Sequence, residues 1–96
     1  MRQIEKEMVN AFNNGYNFKK SNTEVNVCDG YVNVYLHGNK IARKNLSTGK
    51  VGFSSCGWLT NATKSRLNAL GANIYQKAWE WFNADGTPFV NTLYNV

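Results

Sequence analysis

Apolar residues recur at helical spacing at the start of this chain and at two-residue spacing through its middle, and that change of period predicts most of the fold. Ile4, Met8, Val9 and Phe12 fall on one side of a helix with Glu5, Lys6 and Glu7 between them, and Asn13, Asn14 and Gly15 stop it. The period then becomes two. Residues 24–28 set Val25 and Val27 against polar neighbours, Asp29-Gly30 makes a tight turn, and residues 31–36 point Val32, Val34 and Leu36 to one side. His37-Gly38-Asn39 reads as a second turn, residues 40–44 as a short strand, and Ser47-Thr48-Gly49 as a third turn. Residues 50–55 complete the set as a strand with Val51 and Phe53 inward. The pattern is a four-stranded antiparallel meander.

A second helix is expected over residues 60–70, because Thr60 suits the exposed amides of a helix start and Gly71 sits where a left-handed stop is wanted. Its core side is Thr63, Leu67 and Leu70, with Lys64, Arg66 and Asn68 turned outward. Two readings compete for residues 72–82. Ile74, Ala78 and Trp81 fit a helix, whereas residues 74–76 and 79–82 fit a hairpin turning near Lys77-Ala78. The hairpin is preferred, since β-branched and aromatic residues dominate and a helix exposes Tyr75, Trp79 or Phe82 on some face. Asp85-Gly86 and Pro88 make a last turn, and residues 89–94 form an edge strand or a packed tail. The expectation is therefore one α+β domain over residues 1–96: an N-terminal helix, an antiparallel β-meander, a second helix on one face and further C-terminal strands. Val32, Val34, Val51, Phe53, Leu67 and Leu70 are its predicted common core.

Composition agrees with a small folded domain. Of 96 residues 43 % are hydrophobic and 14 % aromatic, with a single Pro, which is opposite to the signature of disorder. No apolar run approaches the roughly 20 residues that cross a bilayer, so no membrane partner is expected. The start of the chain alternates charged and apolar residues, unlike a signal peptide, and the cytoplasm is the expected location. In that compartment Cys28 and Cys56 are expected as free, buried thiols rather than a bridge.

Charge changes the picture more. Residues 30–79 carry Lys40, Arg43, Lys44, Lys50, Lys64, Arg66 and Lys77 without one Asp or Glu, more cations than the whole formal excess of +5. Such segregation favours anionic partners and says nothing of fold. At the predicted start of the second helix, free amides and the positive dipole end meet Thr60, Asn61, Lys64 and Arg66, with Trp58 adding a flat aromatic face; this suits a phosphate or a base. Lys40, Arg43 and Lys44 form a second cluster, which equally serves to keep a strand edge from aggregating.

Catalytic chemistry finds no comparable support. His37 with Cys28 and Cys56 lacks the paired spacing of a metal site. Cys56 as nucleophile with His37 as base lacks a third residue to orient the imidazole. Glu80 and Asp85 have no carboxylate partner, and Gly30, Gly38, Gly49, Gly52 and Gly57 follow turns and strand ends, not a phosphate-binding spacing. A non-enzyme without cofactor, metal or small-molecule substrate is expected.

The run VYLHGNKIARKN, followed by VGFSSCGWLTNATKSRLNALGA, resembles a family of small accessory proteins of tailed bacteriophages. The shared elements are Ser21-Asn22-Thr23, Leu36 to Asn39 with Ile41-Ala42, and Gly57 to Leu70, within residues 17–77. The resemblance implies an accessory phage role with no catalytic residues to carry over. On that basis the expected function is to bind and inhibit a host protein or a defence ribonucleoprotein, as anti-CRISPR proteins do. The alternative is direct nucleic-acid binding, because the order helix, three strands, helix is similar to double-stranded RNA-binding modules. The C-terminal part follows the pattern least, and Trp79 and Trp81 are candidates there for a partner-specific surface.

Overall fold

The computed structural model describes residues 2–96. Helix α1 (Gln3–Asn14) starts where the Arg2 backbone N–H donates to Glu5 Oε1 at 3.4 Å. It ends at Gly15, whose φ of 71° is left-handed and whose N–H returns to the Ala11 carbonyl at 2.8 Å. The last turn of α1 contains no basic residue of its own. Lys44 supplies the charge instead, donating from Nζ to the Phe12 carbonyl at 2.8 Å.

Five antiparallel strands follow in sequence order: β1 (Phe18–Lys20), β2 (Thr23–Cys28), β3 (Tyr31–Leu36), β4 (Asn39–Asn45) and β5 (Val51–Phe53). The four expected strands are present, and β1 adds an edge strand paired Phe18 to Val25 and Lys20 to Thr23. Three residues, Phe-Lys-Lys, are too short to show an alternation. Between Val34 and Tyr35 the β3–β4 register shifts, so the consecutive residues Ile41 and Ala42 are both buried, at 1 % and 0 % exposure. A bulge is what permits two neighbours on one strand to face the same core.

Helix α2 (Asn61–Ala69) packs with α1 on the sheet face that carries Val25, Val32, Val34 and Ala42. Thr60 caps it as expected, its Oγ1 accepting from the Thr63 N–H at 3.2 Å. Val32, Val34 and Leu67 are fully buried in the shared core, and Val51, Phe53 and Leu70 pack partly buried against it. Asn68 is exposed, yet its side chain clamps Ile74, donating to the Ile74 carbonyl at 2.9 Å and accepting its N–H at 2.7 Å.

Of the two readings for residues 72–82 the hairpin is the observed one: β6 (Ile74–Lys77) pairs with β7 (Glu80–Asn83) across Ala78-Trp79. One face of the hairpin, with Ile74 and Trp81, closes the end of the core, and Phe89 meets the Trp81 ring edge-on at 5.7 Å. The segment after Pro88 is the packed tail, not a strand. Thr92 exchanges two hydrogen bonds with Phe53, Leu93 is 2 % exposed, and a 3-10 turn (Leu93–Asn95) ends it. Gly52 makes that docking possible, since a Cβ there overlaps the Thr92 carbonyl.

Candidate functional site

The cations that look like one surface in the sequence are divided by the sheet. Lys40 and Arg43 lie on the face opposite the helices, with Tyr31, Asn33 and Tyr35, while Lys44 turns to α1 and Lys64 and Arg66 belong to α2. Most of their charge is engaged inside the fold. The Arg43 guanidinium stacks over the Tyr31 ring at 4.2 Å and the Tyr94 ring at 4.9 Å, and it donates to the carbonyls of Leu93 (2.8 Å) and Val96 (3.0 Å). It is the rivet that holds the tail on the sheet.

Arg66 corrects the sequence reading most directly. It is not turned outward but is 3 % exposed, donating from Nη1 to Glu5 Oε2 at 2.8 Å and from Nε to Thr23 Oγ1 at 3.2 Å. Ser65 donates a further short hydrogen bond to the same carboxylate. Burial pushes the Glu5 carboxyl up, but the hydrogen bonds from Ser65, Arg66 and the Arg2 backbone, with the Arg66 charge, outweigh it and hold the group below its ordinary value. The physical reason for the misreading is the length of arginine: its stem crosses the helix interface while its Cα sits near the edge of the core stripe. Two ion pairs occur among the described residues, Glu5–Arg66 and the exposed Glu7–Lys20, so Lys64 and Lys40 are without a carboxylate at ion-pair distance.

What gathers at the start of α2 is apolar. A cleft of about 400 Å³ is lined by Leu36, Ile41, Trp58, Ala62 and Thr63, with His37, Asn39, Ser55 and Thr60 around it. Leu36 and Ile41 are its buried floor, and Trp58 stands at the rim, 59 % exposed, next to Leu59 at 51 %. Thr60 faces the cleft but its hydroxyl is committed to the helix cap, and Asn61 is exposed beside it. A larger hollow of about 620 Å³ on the other side of His37 has walls split about evenly between polar and apolar surface, and Lys19 and Glu24 bring both charges to it. The apolar cleft is the better formed binding feature, since pockets that bury a partner are walled by apolar groups with few polar ones.

Two further expectations change. Trp81 is not a surface aromatic: it is 4 % exposed and its Nε1–H has no hydrogen-bond partner. Trp79, by contrast, is 87 % exposed at the hairpin tip. Cys28 and Cys56 are free as expected but exposed, not buried. Cys28 is the last residue of β2 and Cys56 lies in the turn after β5, both where the chain leaves the core; Cys56 has a φ of 52° and donates its thiol to the Lys40 carbonyl at 2.7 Å. Cys28 donates to Asp29 Oδ2 at 3.4 Å, and that hydrogen bond, with the Asp29 charge, raises its pKa. Among the described residues no three His, Cys, Asp or Glu side chains gather to hold a metal ion, and no helix is long and apolar enough to cross a membrane.

The cleft, with Trp58 exposed at its rim, was within reach of the sequence through Trp58 and Thr60, which stood in the candidate set for a different chemistry. Leu36, Ile41 and Ala62 were missed because they come from three separate elements that only the bulge and the helix cap bring together. A family model described as Kyanoviridae Gp96 protein matches residues 1–95. Neither the curated proteins nor the solved structures contain a match.

Proposed function

The chain belongs to the Kyanoviridae Gp96 protein family, a family of phage proteins, and from that premise we propose that it acts by binding and blocking a protein of the host cell, with no chemistry of its own. The observation that supports this reading is the cleft at the start of α2: a buried apolar floor, Leu36 and Ile41, opening beside Trp58, which remains more than half exposed. Aromatic anchors next to a desolvated apolar floor are what protein interfaces concentrate their energy on. Lys64, unpaired by a carboxylate, adds one cation from α2, which favours a partner with an acidic residue at the edge of its contact.

Direct binding of nucleic acid is the weaker reading. Arg43, Lys44 and Arg66 are engaged by the fold, and the cations left free lie on both sides of the sheet, so no single stripe tracks a phosphate backbone. The test is affinity capture from host lysate with the full chain, with and without nuclease, comparing the wild type with Trp58→Ala and Ala62→Arg. The expected result is a retained protein that survives nuclease and is lost from both variants while their melting temperatures stay within about 2 °C of wild type, as for surface changes. Release by nuclease, or retention by both folded variants, overturns the proposal.

A further inference from the structure

The turn that joins β6 to β7 has an unusual composition for its geometry. Lys77 pairs with Glu80, leaving the two-residue loop Ala78-Trp79, and the φ angles there are +51° and +69°. Positive φ at both central residues is the sign pattern of a type I′ turn, whose normal occupants are Asn-Gly, Asp-Gly or Gly-Gly. Two of the other tight hairpin turns follow that rule, Asp29-Gly30 (φ 52° and 83°) and His37-Gly38 (φ 52° and 79°) placing glycine second, while Ser21-Asn22 between β1 and β2 lacks glycine and has a positive φ at Ser21 alone (54°). The β6–β7 turn alone among these holds two residues with a Cβ, an alanine and a bulky tryptophan, at positive φ with no glycine beside them, a conformation that costs any residue with a Cβ.

Trp79 is 87 % exposed, the most exposed of the large hydrophobic side chains. Below it, the outer face of the hairpin carries the cross-strand pair Lys77–Glu80 and then Tyr75 stacked on Phe82 at 5.7 Å, with Tyr75 itself 43 % exposed. The hairpin is held firmly at its base by the Asn68 clamp on Ile74 and by Trp81 in the core. A rigid base, a strained tip and an aromatic outer face make a finger.

We propose that the β6–β7 hairpin is a recognition finger that inserts Trp79 into an apolar socket of a protein partner, with Tyr75 and Phe82 against the rim of that socket. A protein is the occupant because Lys77 and Glu80 cancel each other directly beneath the tryptophan, which gives neither the positive field that a phosphate backbone needs nor the basic face of a membrane-surface element. Trp and Tyr are also the side chains that most often anchor protein interfaces. The inference rests on the protein-binding reading above but names a different contact, at a hairpin tied to the C-terminal end of α2, whereas the cleft lies at its start.

The test uses the full chain as wild type, Trp79→Ala, Trp79→Phe, the double variant Ala78→Asn/Trp79→Gly, and Trp58→Ala. Melting temperatures come first: the double variant is expected to melt about 5 °C above wild type, since it restores the preferred turn residues. The protein retained from nuclease-treated host lysate is then identified by mass spectrometry, purified, and titrated against each variant by calorimetry. The expected result is at least tenfold weaker binding for Trp79→Ala and for the stabilised double variant, with Trp79→Phe in between. Equal affinity for wild type and Trp79→Ala overturns the finger, and if Trp58→Ala weakens binding in that case the cleft reading survives alone. Loss with Trp79→Ala but not with Trp58→Ala keeps the finger and removes the cleft. No retained protein, a Trp79-dependent dimer in light scattering, or Trp79-dependent binding of a single-stranded oligonucleotide each overturns the protein socket.

Discussion

Arg66 of α2 donates to Glu5 of α1 at 2.8 Å with both side chains 4 % exposed, so the one buried ion pair among the described residues joins the two helices through their shared face. Thr23 of β2 also accepts from Arg66, and Ser65 donates to Glu5, so the pair is surrounded by hydrogen bonds that satisfy much of its polar capacity. Removing one member of such a pair leaves the other charge buried and unmatched, which costs about 3 to 5 kcal/mol. Arg66→Ala and Glu5→Ala are therefore each expected to lower the midpoint of a urea titration severely, and the double change Glu5→Leu/Arg66→Met to recover much of the loss. A double variant no better than the single ones contradicts this account of the helix interface.

The same pair gives the protein an acid-sensitive step. The Glu5 carboxyl is held below its ordinary value, so the stability it contributes is complete above the unfolded carboxylate pKa and is lost as pH falls through the folded one. Unfolding free energy measured between about pH 6 and pH 3 is expected to fall more steeply for wild type than for Glu5→Leu/Arg66→Met, which has no carboxylate to protonate at this site. Parallel curves count against the assignment.

Much of this architecture was legible from spacing alone, and the exceptions have local causes. The period of two in residues 24–36, the helical spacing of Ile4, Met8 and Phe12 and the glycine stops mark β2, β3 and α1. Arg66 misleads because polarity is read at Cα while burial is decided at the guanidinium. The cysteines mislead because burial depends on position within the strand: Cys28 and Cys56 fall where β2 and β5 run out into turns. At the site, Trp58 and Thr60 were visible as residue types, but their chemistry turned on whether Lys64 and Arg66 faced the same solvent, which is a tertiary fact.

Cys28 makes a direct test of local electrostatics. Its thiol donates to Asp29, and that hydrogen bond and the adjacent negative charge raise its pKa above the ordinary thiol value. In a Cys56→Ser background, Asp29→Asn is expected to speed labelling of Cys28 by a disulfide reagent at pH 8, because a larger fraction is then thiolate. Both cysteines of the native wild type are expected to label without denaturant, since both are exposed. Unchanged labelling in Asp29→Asn removes the carboxylate as the cause.

Leu67, fully buried where α2 meets the sheet, is expected to cost about 2 to 5 kcal/mol when cut to alanine. Trp58→Ala, at the exposed rim, is expected to change stability by less than about 0.5 kcal/mol, which separates core from contact surface in one pair of denaturant titrations.

Gly52 tests how the tail is fastened. A methyl group at residue 52 overlaps the Thr92 carbonyl and crowds the Leu93 backbone, so Gly52→Ala must move either β5 or the tail. The tail is the more easily displaced, because it is held by two Thr92–Phe53 hydrogen bonds, the Arg43 bonds to Leu93 and Val96, and the single buried side chain of Leu93, whereas β5 is paired along β4. The expected cost is about 1 to 3 kcal/mol, as for other overpacked sites. Amide exchange in the variant should rise at Phe53 and Thr92 first and leave Val34 and Leu67 protected, because the core of α1, α2 and β2–β4 does not depend on the tail. Arg43→Ala is expected to give the same exchange pattern by removing the rivet from the other side. If Gly52→Ala instead exposes the amides of β3 and α2, the tail is an integral part of the core, and the picture of a segment docked onto a finished sheet is wrong.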